Sequence, residues 1–149
     1  MKSFTSLILV VCAVAATGCR RPDSGSIRAR QFRSVDPAMV GWREVPLPSK
    51  QNLYTKTLLA DAQTATGVDI LRYPAGVVTP VHTHPHGHGM YILQGKLVTN
   101  HGTFGPGMFV WFPEGEAIFH GAAAEQDTVV LFIRHEPFDI NFTDMSRGH

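Results

Sequence analysis

An all-β fold is predicted from three features of the sequence. Seven or eight short segments are rich in β-branched and aromatic residues, and turn residues separate them at roughly ten-residue spacing. No segment carries an apolar stripe of helical period over three turns. Such a pattern specifies a β-sandwich or barrel.

The segments follow in chain order. Asn52–Ala60 and Thr66–Tyr73 come first, separated by a mainly polar stretch, with Gly67 near the start of the second. His88–Gln94 and Lys96–Thr99 form the next pair around Gly95. Met108–Phe112, Ala117–Ala122 and Thr128–Arg134 complete the set. Pro74-Ala-Gly76, Asn100-His-Gly102, Gly105-Pro-Gly107 and Pro113-Glu-Gly115 supply the turns between them. Tyr91, Phe109, Trp111, Phe112 and Phe119 are expected to pack in the core.

The 149 residues suit one domain, at about 100–200 residues per domain. Charged residues make up 17% of the chain and hydrophobic ones 44%, which argues against disorder. A net charge of +1 leaves no basic surface for nucleic acid, so no such partner is expected. The charge is unevenly placed. Residues 1–33 hold six basic side chains against Asp23, whereas 34–149 hold seven basic and eleven acidic ones. This asymmetry suggests a leader that lies near a membrane surface.

Within that leader, Lys2 precedes the apolar run Leu7–Ala16, too short for the ~20 residues of a spanning helix and suited to an export signal over 1–18. The run ends in Ala16-Thr17-Gly18-Cys19, which resembles a bacterial lipobox with Ala16 where Leu is commoner. By that resemblance Cys19 is lipidated after cleavage and anchors the protein to the extracytoplasmic or periplasmic face of a bacterial membrane. The alternative is an ordinary signal peptide with an incidental cysteine. Cys12 leaves with the signal, so no thiol remains for a disulfide or a thiolate ligand. Residues 19–38, with Arg20, Arg21, Arg28 and Arg30, read as a tether, and the folded domain is placed at 39–149.

The chemistry is concentrated in Gly76-Val-Val-Thr-Pro-Val-His82-Thr-His84-Pro-His86-Gly-His88. Residues two apart on a strand share a face, so His82 and His84 offer two imidazoles in one direction. The Pro85-His-Gly87 bend lets His88 fold back and offer a third, and His120 is a fourth on a later strand. Neutral imidazole is the commonest donor to zinc, iron, nickel and copper. His86 is either solvent-facing or a spare ligand, His101 is a surface residue, and Glu114 and Glu116 are either proton acceptors at the mouth or solvated turn residues.

Gly76, His82, His84 and Gly95 match the first motif of the cupins in residue and spacing, with His88 at the position of the family's glutamate. Gly107, Pro113 and Gly115 match the second motif. Its histidine comes two residues late as His120, and Ala124 replaces the asparagine. A two-residue offset keeps strand parity, so His120 still faces inward. From Trp42 to Arg134 the chain is similar to the small cupins of anti-sigma factors and of dioxygenases that cleave diketones or hydroxyacetophenones. The resemblance implies a double-stranded β-helix, the jelly-roll barrel, and one divalent transition metal on His82, His84, His88 and His120. Fe(II), Ni, Cu, Mn and Zn are not distinguished by these donors. It also implies a homodimer, and either a non-haem oxygenase acting on a small oxygenated compound or a non-catalytic metal- or ligand-sensing module. For the oxygenase, the substrate chelates the metal as its anion. Four neutral ligands leave the ion its full charge and a preference for such anions. Competition between proton and metal is expected to release the ion below about pH 6, near the free imidazole pKa.

Overall fold

The computed structural model describes residues 32–143. The segment expected to be an export signal, Cys19, and most of the expected tether lie outside these residues. Among these residues, eleven strands and one short 3₁₀ turn, Pro37–Met39, account for the regular structure. The strands are β1 (Arg43–Pro46), β2 (Asn52–Ala60), β3 (Gly67–Tyr73), β4 (His82–Thr83), β5 (His88–Gln94), β6 (Leu97–Thr99), β7 (Gly102–Phe104), β8 (Phe109–Phe112), β9 (His120–Ala122), β10 (Thr128–Arg134) and β11 (Asn141–Phe142). No helix among the described residues is long and apolar enough to cross a membrane.

A six-stranded antiparallel sheet runs β1-β2-β3-β10-β5-β8. A three-stranded sheet, β7-β6-β9, and the pair β11-β4 complete the wall, joined by bridges from Val78 to Gly121 and from His82 to Ile118. This is the predicted all-β, jelly-roll arrangement. Alternation decides the core: on β10 Thr128, Val130 and Phe132 are buried while their neighbours are half-buried. With Met90, Ile92, Leu97, Phe112 and Ile118 they fill the interior. Each large apolar side chain contributes about 1.5–3 kcal/mol by leaving water.

β2, β5 and β10 have the predicted bounds, and β3 starts one residue late. Four strands lie outside the predicted segments or were too short to recognise: β1, β4, β7 and β11. Three of these have four residues or fewer of exposed, mixed sequence, and β11 pairs with β4, a strand distant in the chain. Asn100-His-Gly102 is a turn only in part, since Gly102 already opens β7. Ala117–Ala122 shortens to β9, because Ile118 pairs with His82 as an isolated bridge.

The four glycines of the cupin frame all have positive φ: Gly76, Gly95, Gly107 and Gly115. Gly95 shows why the motif demands the residue. At φ 79° it turns β5 into β6, and a Cβ there would collide with the Asp127 carbonyl oxygen and come within 2.7 Å of Thr128 Oγ1. That hydroxyl holds the turn, accepting from Lys96 N–H at 3.1 Å and donating to the Lys96 carbonyl at 2.8 Å.

The aromatic residues expected in the core divide. Phe112 is buried and Phe119 half-buried, whereas Tyr91, Phe109 and Trp111 are exposed. The reason is parity: Tyr91 on β5 pairs with Phe109 on β8, so both lie on the same outward face, and β8 is an edge strand. Its odd residues face outward, where the Phe109 and Trp111 rings lie over Gly89 and Gly87, in space a Cβ would occupy.

Candidate metal centre

Backbone pairing brings the histidines together. His82 exchanges hydrogen bonds with Ile118, N–H to carbonyl at 2.8 Å and the reverse at 2.9 Å. The His84 carbonyl accepts from Gly115 N–H at 2.8 Å, which ties the first histidine segment to the Pro113-Glu-Gly115 turn. His120 is clamped by Thr79. The Thr79 hydroxyl donates to the His120 carbonyl at 2.8 Å and accepts from the His120 N–H at 3.2 Å. Gly121 allows β9 to come this close, since a Cβ there would strike the Val77 carbonyl.

All four predicted histidines are buried: His82 and His88 are 0% exposed, His84 2% and His120 4%. Ring centroids lie 4.6 Å apart for His82 and His84, 4.9 Å for His82 and His120, and 4.5 Å for His84 and His88, each pair nearly perpendicular. One nitrogen from each of His82, His84 and His120 lies within 4.8 Å of the others, so these three are positioned to bind one metal ion. His88 lies against His84 and between the rings of Phe112 and Phe132, each 5.0 Å away, and is outside that group of three.

Hydrogen bonds decide which nitrogen is free. His82 Nδ1–H donates to the Pro80 carbonyl at 2.7 Å, and His84 Nδ1–H to the Asp139 carbonyl at 2.8 Å. A carbonyl only accepts, so the proton sits on Nδ1 and the lone pair is on Nε2. Both Nε2 atoms are buried and have no protein partner. His120 repeats the pattern with Tyr73, whose hydroxyl lies 3.2 Å from Nδ1, while its Nε2 is likewise unpartnered. His88 has no partner on either nitrogen. Leaving buried polar atoms unsatisfied costs about 1–3 kcal/mol each, and a cation accepting those lone pairs removes the cost. The residues fit a divalent metal, with the second hydrogen bond that orients ligating histidines already in place.

Burial also keeps the rings neutral. It is the first cause of every shift: His82 is lowered from the ordinary 6.5, His84 to about 4, His88 to about 3, and His120 well below 6.5. Repulsion from neighbouring imidazoles adds to the lowering at His84, His88 and His120. His84 therefore stays neutral, with its Nε2 lone pair available, down to about pH 4. Tyr73 is wholly buried, and burial raises its hydroxyl well above the ordinary range, so it stays protonated. Tyr73→Phe should lower metal affinity about 10–100-fold, the usual effect of losing such an outer partner. Competition titration against a chelator measures this, and an unchanged constant would show that Tyr73 does not orient His120.

The remaining candidates are peripheral. His86 Nδ1 pairs with Glu136 at 2.5 Å on the surface, and His101 pairs with Glu116 at 2.6 Å, away from the buried rings. Glu114 is exposed.

A cavity of about 290 Å³ opens beside the histidines, lined by His84, His120 and Tyr73 together with Leu53, Met90 and Phe132. Asp69 also lines it, with Arg43 and Arg134. Tyr73 and Asp69 were missed as site residues. Their parity on β3 was the available signal, since 69, 71 and 73 share a face and aspartate is depleted within strands.

A family model described as the ChrR cupin-like domain matches residues 30–139. No curated protein matches the chain at a significant level. Among solved structures, the polyketide cyclase RemF from Streptomyces resistomycificus superposes with a TM-score of 0.64 at 20% identity, over 78% of this chain and 89% of that one. A candidate acetylacetone dioxygenase from Methylibium petroleiphilum gives 0.61 at 15% identity, over 79% and 85%. The Rhodobacter sphaeroides complex of SigE with the anti-sigma ChrR gives 0.55 at 20% identity, over 64% and 49%. At these identities the likeness shows the fold alone, and one fold here serves a cyclase, a candidate oxygenase and a regulator.

Proposed function

We propose, on the premise that this chain belongs to the ChrR cupin-like domain family, that it is a metal-binding cupin working as a non-haem metal-dependent oxygenase on a small oxygenated organic compound. The observation that carries the proposal is the set of buried, unpartnered Nε2 atoms of His82, His84 and His120, two of which, His84 and His120, line a mainly apolar cavity. His88 is the fourth ligand in this proposal, since its two nitrogens have no other partner and its ring touches that of His84.

When bound, a divalent ion supplies Lewis acidity and open positions for a chelating anion. The chain's own residues do the rest. Pro80 and Asp139 carbonyls hold the His82 and His84 rings with Nε2 directed inward, and Tyr73 accepts from His120 Nδ1–H when Nε2 ligates. Leu53, Met90 and Phe132 keep water from the bound anion and strengthen its attraction to the cation. Phe138 stacks on His84 at 4.7 Å and, being 36% exposed, forms part of the rim.

The test is oxygen uptake by the Fe(II)-loaded protein across a panel of diketones and hydroxyketones. Consumption coupled to loss of one of them is expected. A second reading, a metal- or ligand-sensing module, is favoured by the likeness to an anti-sigma protein. Inertness across the panel, with one ligand raising the melting temperature, would select it.

The proposal includes attachment to a bacterial membrane, on its extracytoplasmic or periplasmic face, through lipidated Cys19. Cys19→Ser should release the protein into a soluble exported fraction, and unchanged membrane retention would refute the anchor. A homodimer also belongs to it, supported by the unpaired edge of β8 with Phe109 and Trp111 exposed beside it.

A further inference from the structure

Asp69 is an unusual residue for its position. It sits in the middle of β3, opposite Thr57 on β2 and Phe132 on β10, and is only 9% exposed. Thr57 Oγ1–H donates to one carboxylate oxygen at 2.6 Å. The other oxygen has no hydrogen-bond partner among the described residues, and Asp69 belongs to none of their ion pairs. That oxygen is not sealed from solvent and lies in the cavity wall, where it is open to a hydrogen-bond donor carried by a ligand.

The same cavity is lined by His84 and His120, and by Arg43 and Arg134. Arg134 is held by its own bond to the Ala65 carbonyl at 3.0 Å and does not pair with Asp69. With two guanidinium groups and a divalent cation sharing the space, a ligand ammonium is repelled. A neutral hydroxyl is not, and it can donate to the free oxygen of Asp69. The rest of the wall is largely apolar, and the volume suits a small ligand.

From these contacts we infer that Asp69 is a specificity-determining residue that selects a small, mostly apolar oxygen chelator bearing a hydroxyl group apart from its chelating oxygens. This rests on the proposed binding of oxygen chelators at the histidines, and it names their class.

The test uses Ni(II)-loaded full-length protein and calorimetric titration with 1-phenyl-1,3-butanedione and its 3-hydroxyphenyl and 4-hydroxyphenyl analogues. At least one hydroxyphenyl isomer should bind about tenfold or more tightly than the parent, as expected for a hydrogen bond to a charged acceptor. In Asp69→Val, which keeps a strand-forming residue, the ratio of hydroxyphenyl to parent affinity should fall to about twofold or less, whatever the change in the parent's own affinity. Equal binding of all three by the wild type, or a preference that survives Asp69→Val, overturns the inference and leaves the chelator site standing. Failure of every diketone to bind nickel-loaded protein overturns the chelator site, and this inference with it.

Discussion

His84→Ala and His120→Ala are each expected to abolish stoichiometric metal binding, from about one ion per chain to near none after dialysis. Each removes one of the three nitrogens that lie within 4.8 Å of one another, and only two inward-directed lone pairs of that group remain. The loss should exceed the ~10–100-fold expected for Tyr73→Phe, because a ligand is removed and not its support. Elemental analysis of the purified variants gives the result, with circular dichroism to show that the sheets are intact. Full metal content in both variants would mean that the ion, if any, sits elsewhere. His88→Ala separates three ligands from four: affinity falls if the ring ligates and is unchanged if it only packs between Phe112 and Phe132.

The metal-free protein should lose much of its stability between pH 7 and pH 4. The sign follows from the direction of the shifts. His82, His84, His88 and His120 all have folded pKa values below the ordinary 6.5. The unfolded chain therefore binds more protons below pH 6.5, and stability falls as the pH falls. It is complete above 6.5 and declines through the window that ends near 4 for His84 and 3 for His88. A shift of one unit corresponds to about 1.4 kcal/mol. Several coupled rings thus make a loss of a few kcal/mol, or roughly ten degrees or more in melting temperature. Thermal scans of apo and metal-loaded protein at pH 7, 5.5 and 4 test this. The loaded form should hold its melting temperature to lower pH, since the metal occupies the lone pairs that protons would take. An apo protein equally stable at pH 7 and pH 4 would show that the imidazoles are not buried as described.

Much of the centre is legible without tertiary information. His82 and His84 share a face because the strand period is two, and burial at 0% and 2% bears out that parity. His120, two residues late against the cupin pattern, arrives inside for the same reason. The frame glycines were legible as turn residues because only glycine adopts the left-handed backbone cheaply, and Gly76, Gly95, Gly107 and Gly115 all do so. The strands β2, β5 and β10 were legible because each is seven or nine residues of strongly β-forming sequence.

What escaped the sequence depends on neighbours far along the chain. Tyr73 becomes the partner of His120, 47 residues later, only when β3 and β9 face one another. β11 exists because Asn141 and Phe142 meet β4, and nothing in those two residues announces a strand. Tyr91, Phe109 and Trp111 are large and aromatic like the core residues, yet they share the outward face of β5 and β8, which only the pairing of those two strands reveals. Local sequence therefore determined the kind of donor, its parity and the turns, since these follow from backbone geometry over a few residues. The tertiary structure alone decided which donors converge, how their protons are placed and what else lines the cavity, because those properties belong to pairings between distant strands.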